Sequence, residues 1–331
     1  MAREIEPIVK ELKKNGKTIY SISRLNSFND CKLAYKYTYI DYKKGIDNVY
    51  NLLGTLCHDN KEALLKGKIT KDDFLKIFDD EIFELDIKGI EFPSENIKSG
   101  YIQNIRKYIM EQEDNNKKCI IEKFVIMEVD EDNYIQGFID YIDGVDGKLR
   151  ILDFKTSTAY SGEEKVKSGR QLILYKLALE KITGKEVVFV GWDLLKYCNI
   201  CKMQKNGKVK KYLIERRKVA NEMADRYTKD LKEMGKEQYE IDLILFDNKD
   251  IPDELKDVYW KEDGIVELKV DEEMIQETMD YLNNSINNIK NEKDFNAKVI
   301  TEKNSFYCSF LCGHRLICPH LKEYRNNLHF D

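Results

Sequence analysis

Two acidic residues and a lysine interrupt short apolar segments near the middle of the chain. Asp140 ends the segment Gly137-Phe-Ile-Asp140, while Asp153 and Lys155 lie in Ile151-Leu-Asp-Phe-Lys-Thr156. Side chains two residues apart on a strand point to the same face, so Asp153 and Lys155 should project together. Asp140 would lie on the adjacent strand, where cross-strand neighbours are about 5 Å apart. Two carboxylates suit Mg²⁺ or Mn²⁺, and a neighbouring lysine could orient a water molecule or help to deprotonate it.

The same spacing is also typical of a surface salt bridge on a strand. The neighbours of both acids favour the cation site, because Phe138, Ile139, Ile151 and Leu152 are apolar. An ionisable group in such surroundings loses its hydration and needs a compensating partner. The spacing alone leaves both interpretations open.

Three cysteines near the C-terminus form a second group of potential ligands. Cys308, Cys312 and Cys318 lie within eleven positions. Three thiolates are one short of a tetrahedral set, and His314 and His320 lie inside or beside the group. A zinc site with three cysteines and one histidine is therefore one interpretation, and unliganded buried thiols are another.

The surrounding pattern predicts the elements that must position these residues. Apolar residues at helical spacing predict a helix capped by Ser23 and further helices over about 51–65, 71–85, 95–111 and 166–182. Segments rich in Ile, Val, Phe and Tyr predict a β-meander over 119–129, 134–142 and 149–156, and a buried strand over 187–195. Beyond these we expect a helix over 215–234, an irregular acidic segment over 247–263, a strand over 265–270 and a helix starting at Asp271.

This order predicts an α/β fold, with a mixed central β-sheet flanked by helices, a helical N-terminal region and a cysteine-rich C-terminal tail. No clean linker marks a boundary, so we expect a single elaborated domain over 1–331. Its core would comprise about 119–196 together with the helix over 51–65. The segment 200–262 would be an insertion whose role the sequence does not indicate.

Composition excludes several classes of protein. The chain has 331 residues, of which 42% are hydrophobic and 35% charged, which is enough for a folded core. Its longest apolar stretch, 187–195, is far shorter than the roughly 18 residues of a membrane-spanning helix. The N-terminus lacks the apolar core of a signal peptide, so we expect a cytoplasmic protein.

The net charge of −5, from 55 basic and 60 acidic residues, gives no sign of nucleic-acid binding. A local run of cations nevertheless stands out against this balance. It contains Lys202, Lys205, Lys208, Lys210, Lys211, Arg216, Arg217 and Lys218, against the single acid Glu215. Such a run is typical either of a solvated hairpin or of a surface that follows a phosphate backbone.

Taken in order along the chain, the motifs resemble the PD-(D/E)XK nuclease superfamily. The resemblance is to the branch that includes the RecB and AddB nuclease domains and the CRISPR-associated adaptation nuclease. The matching pieces are Ser21-Ile-Ser23 with Cys31, Gly54-Thr-Leu-Cys-His58, Gly137-Phe-Ile-Asp140, Asp153-Phe-Lys155-Thr156, Gln171-Leu-Ile-Leu-Tyr175 and the terminal cysteines. Each is weak alone, but the set covers most of the chain.

The resemblance implies a ligand set and a chemistry. His58, Asp140, Asp153 and the backbone carbonyl of Phe154 would hold one or two divalent cations, and Lys155 would position and activate the attacking water. Gly54, one helical turn from His58, would leave room for a metal or a strand to approach. On another helix Gln171 and Tyr175 would present an amide and a phenol toward the site to position Lys155 or the substrate. His58, Gln171 and Tyr175 could instead be ordinary helix-face residues.

The resemblance also implies a fourth cysteine ligand. Cys31 would join Cys308, Cys312 and Cys318 around a [4Fe–4S] cluster with a structural role. The family usually has two residues between the first pair of C-terminal cysteines, whereas this chain has three. Zinc therefore stays the competing cofactor.

These motifs lead us to expect a metal-dependent DNA nuclease, exonucleolytic on ends or single strands, that leaves a 5′-phosphate. It would serve recombination, repair or phage DNA metabolism, and any helicase or recombination partner would be a separate chain. Two alternatives are a non-catalytic nuclease-fold subunit that binds DNA or acts as a scaffold, and a nuclease for CRISPR spacer acquisition.

Overall fold

A seven-stranded mixed sheet forms the centre of the computed structural model, which describes residues 6–113 and 118–327. The strands are β1 (Thr18–Ser21), β2 (Ile120–Glu128), β3 (Asn133–Val145), β4 (Lys148–Lys155), β5 (Val187–Met203), β6 (Val209–Glu215) and β7 (Tyr259–Glu267). The sheet order is β1-β3-β4-β5-β6, with β2 paired to β3 and β7 paired to β5. β1 with β3 and β4 with β5 are parallel, and the other pairs are antiparallel. The predicted mixed sheet with flanking helices is confirmed.

Helices surround this sheet. They are α1 (Pro7–Lys14), α2 (Ile22–Asp30), α3 (Lys32–Tyr35), α4 (Val49–Leu65), α5 (Lys71–Lys88), α6 (Glu95–Met110), α7 (Gly162–Thr183), α8 (Val219–Glu233), α9 (Gln238–Phe246), α10 (Glu272–Asn291), α11 (Glu302–Phe306) and α12 (Pro319–Asn327). Short π-helical turns cover Lys36–Ile40 and Tyr307–Leu311. Among the described residues, none of the helices combines the length and the apolar character needed to cross a bilayer.

Side-chain caps explain where several of these helices begin. Asn48 accepts hydrogen bonds from the first turn of α4, and Thr70 forms a reciprocal capping box at the start of α5. Ser94 and Asp271 cap α6 and α10. The N-cap of α2 is Ser21 rather than the predicted Ser23, because the Oγ of Ser21 accepts from the Arg24 amide.

Three apolar clusters hold the elements together. The largest lies between the sheet and α2, α7 and α10, and includes Leu172, Trp192 and Leu282. A second cluster is formed within α4, α5 and α6 and receives Leu195 from β5. A third joins the distal half of β5 to α8 and α9.

The second half of the chain differs from the sequence prediction. The strand predicted over 187–195 continues to Met203, and the helix predicted from 215 begins at Val219 because Glu215 ends β6. The predicted irregular segment and the strand predicted over 265–270 are also corrected, since β7 begins at Tyr259. The segment 200–262 therefore supplies strands to the same sheet as the core.

Candidate active site

A short interruption in strand pairing creates the candidate site. One edge of β3 pairs with β1 as far as Gln136 and with β4 from Tyr141 onward. Residues 137–140 lie between these two ladders, so this edge of the strand is open at Asp140. A β-strand edge left unpaired inside a sheet can present side chains and backbone groups to a ligand. The segment Gly137-Phe-Ile-Asp140 singled out in the sequence occupies this opening.

Asp140 bridges the opening to β4 and α4. Its Oδ2 accepts a hydrogen bond from the Phe154 amide at 2.8 Å, and its Oδ1 lies 2.9 Å from His58 Nε2. Burial alone would raise the pKa of Asp140, but the hydrogen bond and charge of His58, with Lys155 and the Phe154 amide, lower it below its usual value. The carboxylate is therefore ionised and available to a cation.

Asp153 and Lys155 project to the same side of β4. Lys155 Nζ lies 2.6 Å from Asp153 Oδ2, and Asp153 is only 1% exposed. Burial and the nearby Asp140 raise the pKa of Asp153 against the opposing effect of Lys155. Burial lowers the pKa of Lys155, but Asp153 and Asp140 outweigh it and raise that pKa, so the lysine stays an ammonium. The two carboxylates and the lysine meet in one place.

His58 reaches the site from the middle of α4. Burial lowers the pKa of its imidazole, but Asp140 and Asp59 outweigh this effect and raise the pKa above its usual value. A Cβ placed on Gly54 would lie 3.5 Å from Thr156 Oγ1, so the end of β4 approaches the helix there. One turn after His58, Lys61 forms a buried ion pair with Asp193 of β5. This pair fixes α4 against the sheet close to the site.

Gln171 and Tyr175 face the site from α7. Gln171 Nε2 donates a hydrogen bond to Tyr175 Oη at 2.7 Å. The Tyr175 ring packs directly on the backbone of Gly137, where a Cβ would come within 2.4 Å of Cε1. Burial, together with the charge of Asp153, raises the pKa of Tyr175. The phenol is thus a neutral hydrogen-bonding group beside the carboxylates.

These residues line one large cleft of about 1400 Å³. The cleft runs between the sheet, α4, α6 and α7. Phe306 and Tyr307 lie at its border with the C-terminal segment, and Lys196 and Arg217 line it beside α6. The Asp140 and Asp153 carboxylates therefore lie in a cleft that also contains cations and aromatic side chains of other elements.

The donor set was tested for its fit to a divalent cation. Within 6–113 and 118–327, no three His, Cys, Asp or Glu side chains stand close enough together to form a cation site as they are arranged. Asp153 Oδ2 is nevertheless buried and has no well-aligned hydrogen-bond donor. Two carboxylates, one of which contains this oxygen, and an imidazole are ligand types that suit a hard divalent cation.

The predicted cysteine ligands come from both ends of the chain. Cys31 lies between α2 and α3, Cys308 in the π-helical turn, and Cys312 and Cys318 beyond it; all four are free and partly exposed. Burial and the other three sulfurs raise the pKa of Cys308 to about 11. The influence of Cys31, Cys312 and Cys318 on Cys308 shows that the four sulfurs lie near one another. In the part of the chain that the structure describes, these thiols are not arranged as a group of metal ligands.

Backbone contacts join the same two parts of the chain independently of the thiols. The Ile46 amide donates to the Gly313 carbonyl at 2.8 Å, and Asn48 Nδ2 donates to the Leu311 carbonyl at 3.0 Å. His314 is buried, with Nε2 2.8 Å from Thr38 Oγ1 and Nδ1 without a hydrogen-bond partner. His320, the other histidine near the cysteines, is exposed on α12.

The basic run is largely neutralised in three dimensions. Six of its eight cations form ion pairs: Lys202 with Asp230, Lys205 with Glu233, Lys211 with Glu262, Arg216 with Glu111 and Asp263, and Arg217 and Lys218 with Glu215. Arg216 is only 1% exposed. A phosphate cannot reach this guanidinium, so the predicted nucleic-acid contact is wrong for Arg216. Lys208 and Lys210 form no ion pair with any described residue, and the contact stays a prediction for the seven other residues.

Lys196 is a cation that lines the cleft although it belonged to none of the predicted sets. Lys196 follows the apolar run 187–195, where it looked like the end of a strand. In the structure it continues β5 and lines the cleft beside α6. The signal was a charged residue between apolar segments, and the same kind of signal identified Asp153.

The chain was compared with curated proteins, solved structures and protein families. No curated protein matches the chain at a significant level. A solved structure entitled "Crystal structure of SSO0001" is similar at 12% identity with a TM-score of 0.33, covering 94% of this chain and 93% of the other. The family model of the PD-(D/E)XK nuclease superfamily matches residues 19–319. The chain therefore belongs to the PD-(D/E)XK nuclease superfamily, whose members are generally metal-dependent nucleases.

Proposed function

We propose that the protein is a metal-dependent DNA nuclease that removes nucleotides from DNA ends or single strands. One observation carries this proposal: Asp140, Asp153, Lys155 and His58 come from three separate elements and meet at an opening of the sheet. Neither fold stability nor a surface salt bridge requires two buried carboxylates at that point. A phosphodiester bound in the cleft would meet all four groups.

In this proposal His58, Asp140, Asp153 and the carbonyl of Phe154 hold Mg²⁺ or Mn²⁺. The bound ion supplies charge neutralisation at the scissile phosphate and acidifies the attacking water. Lys155 remains an ammonium beside Asp153 and donates a hydrogen bond that orients this water. Gln171 and Tyr175 act as positioning residues, because their hydrogen bond fixes polar groups next to Lys155 and the substrate.

A cleavage assay tests the catalytic assignment. End-labelled single- and double-stranded DNA is incubated with the protein in Mg²⁺ or Mn²⁺. We expect Asp153→Asn and Lys155→Met each to lower the rate by roughly 10²-fold or more, as removal of catalytic groups usually does. Lys148→Met is the matched control, because Lys148 lies on the same strand and pairs with Glu186 at the surface.

Two outcomes would contradict the proposal. Full cleavage by either site variant would show that the assigned residues are not catalytic. DNA binding without metal-dependent cleavage by the wild type would favour a non-catalytic nuclease-fold subunit. The pattern of released products distinguishes attack at ends from attack within the strand. Cleavage that requires the ends formed during CRISPR spacer acquisition would favour that role over recombination, repair or phage DNA metabolism.

The cysteine set supports assignment to the RecB/AddB-like branch with a structural [4Fe–4S] cluster. Cys31, Cys308, Cys312 and Cys318 would hold it, and zinc held by cysteine and His314 is the alternative. Protein purified without oxygen should show a broad visible absorption band that disappears in Cys31→Ser but not in the control Cys119→Ser, a partly exposed thiol outside the set. A colourless protein containing zinc would end the iron–sulfur assignment.

A further inference from the structure

A second interruption of strand pairing lies opposite the first. β5 pairs with β4 as far as Leu194 and with β6 from Tyr197 onward. β7 pairs with both halves of β5. β7 occupies one edge of β5 along both halves, so β4 and then β6 pair with the opposite edge of β5. Lys196 lies in the gap between them, where the end of β4 carries Lys155.

The ammonium of Lys196 has no carboxylate of its own. It is half-buried, and its one described contact is with the Tyr101 ring, whose centroid lies 5.4 Å from Nζ. Glu215 is near enough to influence it, but burial still lowers the pKa of Lys196. No described residue forms an ion pair with it. A partly desolvated cation without a counterion is unfavourable unless an anion is bound there.

Glu215 is already shared by other groups. Its Oε1 lies 2.9 Å from Lys218 Nζ, and its Oε2 accepts from Arg217 Nε and Asn104 Nδ2, each at 3.2 Å. One carboxylate therefore faces three cations once Lys196 is included. This part of the cleft carries excess positive charge even though the chain as a whole is acidic.

Arg217 is held in place beside Lys196. Its guanidinium packs on α6 at Gly100, where a Cβ would lie 3.2 Å from Arg217 Nη2. Both cations line the same cleft as Asp153 and Lys155. Two cations in a groove that leads from the carboxylates are arranged to receive a second anionic group of the same ligand.

We infer that Lys196, together with Arg217, binds a phosphate of the substrate strand next to the phosphate that is cleaved. The inference rests on the proposed nuclease function and names a subsite within it. Because the contact is to a phosphodiester and not to a base, it fixes the position of the strand without selecting a sequence. It assigns strand binding to cations inside the cleft, whereas Lys205 on the outer hairpin is paired with Glu233.

Steady-state cleavage by Lys196→Met tests this subsite. We expect KM to rise about tenfold, as loss of a charge-assisted contact implies, while kcat stays within about twofold because the reacting groups are unchanged. The slope of the logarithm of the DNA-binding constant against the logarithm of salt concentration should decrease in magnitude by about one. Lys196→Arg should restore most of the affinity, and Lys148→Met, a surface control outside every predicted site, should behave as the wild type.

A series of DNA substrates locates the contact. In each substrate one phosphate near the cleavage point is replaced by an uncharged methylphosphonate. At one position the replacement should raise KM for the wild type but not raise it further for Lys196→Met. Equal effects on both proteins at every position, or an unchanged KM in Lys196→Met, would overturn the subsite.

Failure of the subsite and failure of the proposed function give different results. If the wild type cleaves no DNA, the proposed function is wrong; if it cleaves and Lys196→Met is unaffected, only the subsite is wrong. Lys196→Met removes an uncompensated ammonium, so its thermal midpoint should not fall. If this variant does not fold, Lys196→Gln provides the same test with a polar side chain.

Discussion

Gly137→Ala should damage both stability and activity through a single contact. The added Cβ would lie 2.4 Å from Cε1 and 3.1 Å from Oη of Tyr175. Tyr175 is buried, so relieving this overlap requires a shift of about 1 Å and costs about 1–3 kcal/mol. Replacing glycine in a strand gains about 0.5–1 kcal/mol. We therefore expect a net loss of about 1–2 kcal/mol in urea unfolding, and breakage of the hydrogen bond between Gln171 and Tyr175.

Gly144→Ala is the matched control in the same strand. Its Cβ would meet only the Lys148 carbonyl, at an ordinary 3.4 Å, so it should be neutral or stabilising by up to about 1 kcal/mol. Tyr175→Leu removes the ring edge, and in that background Gly137→Ala should cost much less, giving a measurable coupling energy. A Gly137→Ala protein as stable as the wild type, with no coupling to Tyr175, would refute the reasoning.

Changes at Lys61, Asn48 and Thr70 have predictable effects on the free energy of unfolding, which urea denaturation measures for each variant. Lys61→Met leaves the Asp193 carboxylate buried without its partner and should cost about 3–5 kcal/mol, whereas Lys61→Met with Asp193→Leu should cost less than the sum of the single changes. Asn48→Ala removes the cap of α4 and should cost about 1–2 kcal/mol. Asn48→Asp keeps the cap but loses the bond to the Leu311 carbonyl, so it should cost about 0.5–1.5 kcal/mol. Thr70→Ala removes the capping box of α5 and should cost about 1 kcal/mol. If any of these variants is as stable as the wild type, the contact assigned to that residue is wrong.

Local sequence signals predicted the elements that form the candidate site. The strands around Asp140 and Asp153 and the helix of His58 were bounded to within a few residues, because alternation, helical spacing and capping residues are all local. Gly184 ends α7 in a left-handed conformation, which glycine adopts more readily than other residues. The meeting of Asp140 with Asp153 was also predictable, since neighbouring strands of a meander place such residues side by side.

The second half of the chain could not be predicted as well, because its structure depends on pairing between distant segments. β5 looked complete at Leu195, since Lys196 interrupts the apolar pattern there. In the structure this interruption is the point where β4 ends and β6 takes its place. The beginning of β7 lies in an acidic segment whose charges are compensated by cations of other elements, such as Lys211 with Glu262. No local pattern carries that information.

The distribution of charge illustrates the same limit and decides where a substrate strand should bind. Counting cations along the sequence selects the run 202–218, yet a cation that has a carboxylate to itself contributes little to binding, whereas Arg217 shares Glu215 with Lys218. Lys202 and Lys211 are paired across strands and helices, whereas Lys196, outside the run, forms no ion pair with any described residue and lines the cleft. Lys196, which the count of cations passed over, is thus better placed to hold a phosphate than most cations of the run 202–218. Strand binding in this protein should follow unpaired charge inside the cleft rather than the density of lysine along the chain.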